Sequence, residues 1–202
     1  AGVPADPLAA SAIARNLVSH YVMQRDALSP DTRGDINLRW VEAQLDADQQ
    51  RHPDPLATPR PLAARLQGCA RDYTLLTVAM LRHHGRPARS RVGFCRYSGP
   101  GYWYDDVVAE VREGDRWRRF SPGMLEADER LADMADGVDA LFMSAGRMWQ
   151  EIRAGRIDPA TAGVFPGSPV SGEWFVQGAV LFELAHRFGD ELLLWDGFGD
   201  MA

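Results

Sequence analysis

The chain has 202 residues, 46% hydrophobic and 25% charged, with a formal net charge of −6. That length suffices for one domain, read as 1–202, with a substantial core. The acidic balance argues against a nucleic-acid partner, no apolar run reaches the length of a membrane span, and the first residues lack the basic-then-apolar order of a signal peptide.

In chain order, Leu8, Ile13, Leu17, Val18, Tyr21 and Val22 recur at helical spacing and predict a helix over 8–28. Ser29-Pro30-Asp31 breaks it. A second helix is expected over 31–51, with Ile36, Trp40, Val41 and Leu45 as its apolar stripe. Pro53, Pro55, Pro59 and Pro61 make the next stretch an extended connector. Residues 69–84 read as the central helix: Tyr73, Leu76, Met80, Leu81 and His84 hold the period, Asp72 suits the first turn, and Gly85 and Pro87 end it. The period then changes to that of strands at 89–97, 102–112 and 116–120, a meander with turns at Ser98–Gly101 and Glu113–Asp115. In the middle strand Val107, Ala109 and Val111 share one face, and Tyr104, Asp106, Val108 and Glu110 the other. Asp105 is expected to point away from the face of Asp106, at an edge or in a loop. A helix is predicted from Val138 to Gly155 and another over 172–188, followed by an apolar tail at 191–196 that should dock on the core. Helices, a helix-plus-meander centre and helices again make an α+β domain.

Every one of the 22 basic residues is arginine. The absence of lysine excludes a lysine Schiff base and ordinary pyridoxal-phosphate attachment, and no cofactor is expected. Residues 60–96 hold eight arginines against Asp72, and residues 126–139 hold six acids against Arg130. Two solvated faces that attract each other account for this; a basic rim steering an anionic substrate is the alternative. Two cysteines suit a reducing cytoplasm, the expected location. A Cys69–Cys95 disulfide stays open, because sequence does not fix its geometry.

Cys69 carries the chemistry. It precedes a helix, where unpaired N–H groups and the positive end of the dipole favour the nucleophilic thiolate. The stretch Gly68-Cys69-Ala70-Arg71-Asp72-Tyr73, with Leu81-Arg82-His83-His84-Gly85-Arg86-Pro87-Ala88-Arg89 and the strands that follow, resembles the transglutaminase-like superfamily. Ser144–Trp149, Arg153–Pro159, Gly172–Val176 and Glu191–Asp196 resemble one bacterial subgroup of it. The resemblance implies a papain-like core, a Cys helix on an antiparallel meander, helical flanks and a Cys–His–Asp triad. In the family frame the histidine slot falls on Asp106, four residues before Glu110, and the orienting-acid slot on Ser121, before Pro122. An aspartate is a poor base for a thiol and, ionised, raises the thiol's pKa. Amide hydrolysis by an ordinary triad is therefore not expected.

Three readings follow. The first is cysteine-dependent acyl or amide chemistry, with acyl transfer, cyclisation or hydrolysis of a small-molecule or carrier-bound substrate, in a biosynthetic setting. Cys69 is then the nucleophile, Asp106 the proton carrier and Ser121 a polar orienting group. The second is a degenerate homologue that acts as a binding or scaffold protein. In the third, a remote residue such as His186 replaces the missing base. Trp103, Tyr104 and Trp174 are candidates to line an apolar substrate cleft, or are simply core. His83 and His84 point about 100° apart on their helix and read as C-terminal cations. No spacing of His, Cys or acids matches a metal site.

Overall fold

The computed structural model describes residues 2–126 and 128–197. Helix α1 (Pro7–Leu17) starts at Asp6, whose carboxylate accepts the Ala9 N–H at 2.8 Å, with Pro7 where its missing N–H costs nothing. The helix stops well before residue 28. At Val18 the chain turns extended into β1 (Val18–His20), which pairs in parallel with β2 (Leu66–Gly68). Helical spacing read locally does not register a partner that far along the chain. The first half of the second predicted helix is likewise a 3-10 segment over 30–37, and α2 is Val41–Arg51. Trp40, expected on the apolar stripe, is instead the exposed residue that precedes α2. Asp35 fixes the 3-10 segment: its carboxylate takes both Arg51 Nη atoms at 2.6 and 2.7 Å and the Gln67 N–H at 3.2 Å.

Helix α3 (Ala70–His83) and the strands β3 (Ala88–Cys95), β4 (Trp103–Glu113) and β5 (Arg116–Phe120) follow the sequence reading closely. Next come β6 (Phe142–Ser144) and α4 (Ala145–Arg153), in place of one helix over 138–155. Phe142–Ser144 leaves the helical period to pair with the edge of β3. Gly93 permits that approach: a Cβ there would sit 2.2 Å from the Met143 carbonyl oxygen. Strand β7 (Ala162–Gly163) pairs with β4, and α5 (Glu173–Phe188) ends at Gly189 in the left-handed conformation. The sheet order is β5-β4-β3-β6, with β7 on the far end of β4.

The pleat divides the sheet into two different faces. On the helix side, Ala88, Ala109, Val111 and Phe120 pack with Val78 and Leu81 of α3, and Val92, Phe94, Trp103 and Val107 pack with residues of α4 and α5. Thr74 Oγ1 donates to the Val107 carbonyl at 2.7 Å, which fixes α3 to the middle of β4. On the other face, Val108 and Phe142 lie under Leu131 and Met134. Beside them is a buried ionic network. Glu110 accepts from Arg89 at 2.7 Å, from Arg91 at 2.9 Å and from Arg119, and Arg91 also binds Glu183 of α5. Burial alone would raise the Glu110 pKa; the three guanidinium groups outweigh it and hold the carboxyl below its usual range.

This network answers the question posed by the arginine-rich stretch. Arg60 is buried against Asp48 at 3.1 Å, Arg65 and Arg82 bind carbonyls, and Arg89 and Arg91 serve Glu110 and Glu183. They tie secondary structure together from within. Arg82 and Arg96 remain exposed, so part of the stretch is still solvated.

Candidate active site

Cys69 is the N-cap of α3, as its sequence position predicts. Its N–H donates at 2.8 Å to the carboxylate of Asp72, three residues on, the back-bond of a capping box. Asp72 is held in turn by Gln44 Nε2 at 2.8 Å and by Arg71 Nη1 at 2.7 Å. Gly68 is needed beneath it, because a Cβ there would lie 2.7 Å from an Asp72 oxygen.

The electrostatics at the sulfur differ from expectation. The side chain of Cys69 is 8% exposed. Burial pushes the thiol pKa well up, and the charges of Asp72 and Asp105 push it further; the Arg71 N–H and guanidinium pull the other way without prevailing. The helix terminus therefore does not give a thiolate at neutral pH. Cys69 and Cys95 are both free thiols, so the disulfide left open by the sequence is not formed.

The acid that faces Cys69 is Asp105. In β4 it shares the helix side with Trp103, Val107 and Ala109, and its charge reaches the Cys69 thiol. It is half-buried, and burial raises its pKa to about 6 against the opposing pull of its own N–H. Asp106 lies on the opposite face. It accepts from Tyr97 Oη and from the Val107 N–H at 2.8 Å, and its charge acts on Cys95. Burial lifts it to about 7. The pairing of Asp106 with Cys69 expected from the family frame is thus not formed, because the pleat sends alternate side chains to opposite faces.

Ser121 does not join the site through any described contact to Cys69 or Asp105. It follows the last paired residue of β5 and forms a turn: its N–H donates to the Leu131 carbonyl, and its own carbonyl accepts from Met124 and Leu125. Trp103 is buried in the core with Arg96 over its ring at 4.3 Å. Tyr104 points to the other face, edge-on to Tyr102. Trp174 is 58% exposed, its ring edge-on to that of its neighbour Phe175. These three aromatics do not form one cleft.

His186, the remote candidate base, is buried in a closed set of bonds. Its Nε2 must donate to the Leu192 carbonyl at 3.1 Å, so Nδ1 accepts from Ser90 Oγ at 2.9 Å. Burial drives its pKa down to about 4, with Arg71 adding to the fall. His20, aligned with Gly68 in β1, has Nδ1 engaged by the N–H groups of Val22 and Met23 at 3.3 Å, and burial lowers its pKa too.

One residue missed by sequence reasoning belongs here. Tyr21 donates its N–H to the Gly68 carbonyl at 2.9 Å, and its phenol is raised by burial and by the charges of Cys69, Asp105 and Asp72. Its ring is edge-on to Trp195 in the C-terminal tail. The parallel pairing of β1 with β2 brings it there, and nothing in a local period announces that pairing.

The tail closes over this group. Arg71, fully buried at the start of α3, donates Nε to the Leu192 carbonyl at 3.0 Å and Nη2 to Glu191 O at 2.7 Å. The same guanidinium reaches Leu38 O and Arg39 O. Glu191 accepts the Val41 N–H at 2.9 Å, and Asp196 pairs with Arg39. Leu194 and residues of α5 roof a cavity of about 20 Å³ beside Asp105, room for one water. Among the described residues, no group of three or more His, Cys, Asp or Glu is arranged to hold a metal ion, and no helix is long and apolar enough to cross a membrane.

The family model of the transglutaminase-like superfamily matches residues 10–122, which run from α1 through the Cys69 helix to the end of the β3–β5 meander. The match covers more than half of the chain, and the protein belongs to that superfamily. The α+β core with its cysteine helix on an antiparallel sheet accords with it. No curated protein and no solved structure matches the chain.

Proposed function

We propose that the protein performs cysteine-dependent acyl transfer from an activated donor such as a thioester, on a small-molecule or carrier-bound substrate. Family membership supports cysteine-based acyl chemistry. The observation that carries the particular reading is Asp105. It sits on the Cys69 side of β4 with a pKa of about 6, so it is ionised at neutral pH yet more basic than an ordinary carboxylate. Cys69 Sγ attacks the acyl carbon, and its proton passes to Asp105. The donor's carbon–sulfur bond then breaks, and the leaving thiolate takes the proton from Asp105. An amine or water reverses the sequence to release the acyl group. A thiol with a raised pKa and no imidazolium beside it suits thioesters better than amides, whose leaving group needs a stronger acid.

The test is intact mass after incubation with acyl thioesters. The native protein should gain one acyl group and Cys69→Ala none. Asp105→Asn should slow acylation on the order of a hundredfold, and Asp106→Asn should leave it nearly unchanged. The rate should rise with pH through about 6 as Asp105 loses its proton, and rise again as the thiol ionises, in place of the bell of a Cys–His pair. The buried, protonated thiol also favours a second reading, a binding or scaffold protein in which Cys69 is inert. Absence of any adduct across this pH range would decide for it.

A further inference from the structure

A cavity of about 400 Å³ opens against β1 and β2, next to the chain that leads into Cys69, lined by Tyr21, Arg25, Arg33, Ile36 and Gln67 among others. Its inner wall is formed by residues next to the site in the chain or bonded to it. Gln67 lies two residues before Cys69, and the Tyr21 N–H donates to the Gly68 carbonyl at 2.9 Å. Gln67 also sets the far wall: its Nε2 donates to Ser29 O at 2.6 Å and to Thr32 Oγ1 at 2.9 Å, which holds the 3-10 segment bearing Arg33.

The charges in this cavity are distinctive. Nearly every arginine of the chain is committed to a carboxylate or a carbonyl, as with Arg60, Arg71, Arg89, Arg91 and Arg119. Among the described residues, Arg25, Arg33 and Arg187 have no such partner, and two of these three line this one cavity. Asp26 is the only acid in the lining. Two uncommitted guanidinium groups thus line the same cavity, in a molecule whose net charge is −6. Guanidinium forks match carboxylate and phosphate oxygens, and the volume fits a small organic molecule.

We infer that this cavity is the substrate subsite and takes the anionic end of an acyl donor, a carboxylate or a phosphate group, between Arg25 and Arg33. The inference rests on the proposed acyl chemistry for the identity of the donor. The anion sits on the cavity's outer side, Tyr21 and Gln67 line the path inward, and the acyl carbon lies towards Cys69. Net positive lining in the cavity offsets the repulsion that Asp72 and Asp105 would exert on an anion approaching from elsewhere.

The experiment separates binding from chemistry. Titration of the Cys69→Ala protein with succinyl, phosphonopropionyl and pentanoyl N-acetylcysteamine thioesters reads affinity without acyl transfer. At least one of the two anionic esters should bind more tightly than the neutral one, with an affinity that falls as salt rises. The double substitution Arg25→Ala and Arg33→Ala should remove roughly five- to tenfold of that preference, the scale of two partly exposed charge contacts. Arg187→Ala should change nothing. Equal binding of all three esters, or an anionic preference untouched by the double substitution, overturns the inference. Anion binding that persists when no thioester acylates the native protein overturns the acyl-transfer reading and leaves the subsite standing; acylation without anionic preference does the reverse.

Discussion

Arg71→Ala should lower the melting temperature by about 6–20 °C and open Cys69 to alkylation. Arg71 is wholly buried and donates to Leu38, Arg39, Glu191 and Leu192 carbonyls as well as to Asp72. Its removal strands those oxygens and leaves a buried carboxylate without its cation, a change worth about 3–5 kcal/mol. At this chain length each kcal/mol moves the midpoint by about 2–4 °C. The tail would then be held only by its remaining contacts, among them Arg39–Asp196 and Glu191 to the Val41 N–H. Iodoacetamide labelling of Cys69, read by mass with Cys95 as the internal reference, should quicken about tenfold or more, the effect of a local opening easier by 1.4 kcal/mol. Arg71→Lys keeps the charge and loses the fork, and should fall between. Unchanged labelling in Arg71→Ala would mean that residues 191–194 do not guard the sulfur.

Asp106→Asn should do the opposite and stabilise the protein above neutral pH. Asp106 is buried, and its pKa is raised to about 7 chiefly by burial. The sign follows from which state holds the proton. Below about pH 4 both folded and unfolded chains hold it, and the residue is neutral with respect to stability. Between about 4 and about 7 the unfolded chain ionises while the folded chain does not, so folding loses stability at about 1.4 kcal/mol per pH unit. The full loss approaches about 4 kcal/mol at pH 8 and is constant thereafter. Asparagine cannot ionise, and a gain of about 2–4 kcal/mol, or about 4–16 °C, is expected at pH 8, with almost none at pH 4. Melting curves of the two proteins across this range should diverge steadily as pH rises. Parallel curves would show that Asp106 is not ionised against its surroundings.

The centre of the fold was open to reading from the sequence because its signals are local. The period of Tyr73, Leu76, Met80 and Leu81 and the stop at Gly85 and Pro87 mark α3 by themselves, and the meander is framed by its own turns. The short strands were not, since Val18–His20, Leu66–Gly68 and Phe142–Ser144 exist only through partners distant in sequence. The same limit hid Tyr21 and the cavity. Which arginines lack a partner is a property of the whole folded set, so Arg25 and Arg33 look like any others along the chain. Asp105 is a different matter. The alternation of Val107, Ala109 and Val111 already marks the face that must meet the helix, and Asp105 continues it towards Cys69. The family frame, counted from Glu110, pointed to the neighbour on the other side of the pleat.

The Arg71 latch has a consequence for the order of synthesis. Its acceptors lie at residues 38–39 and 191–192, on either side of the nucleophile in the chain. A nascent chain still tethered to the ribosome can fold the meander and dock the cysteine helix, yet Arg71 beside the sulfur lacks half of its carbonyl acceptors until residues 191–192 have left the exit tunnel. During that interval the thiol is more exposed to oxidants than the 8% exposed side chain of the folded protein.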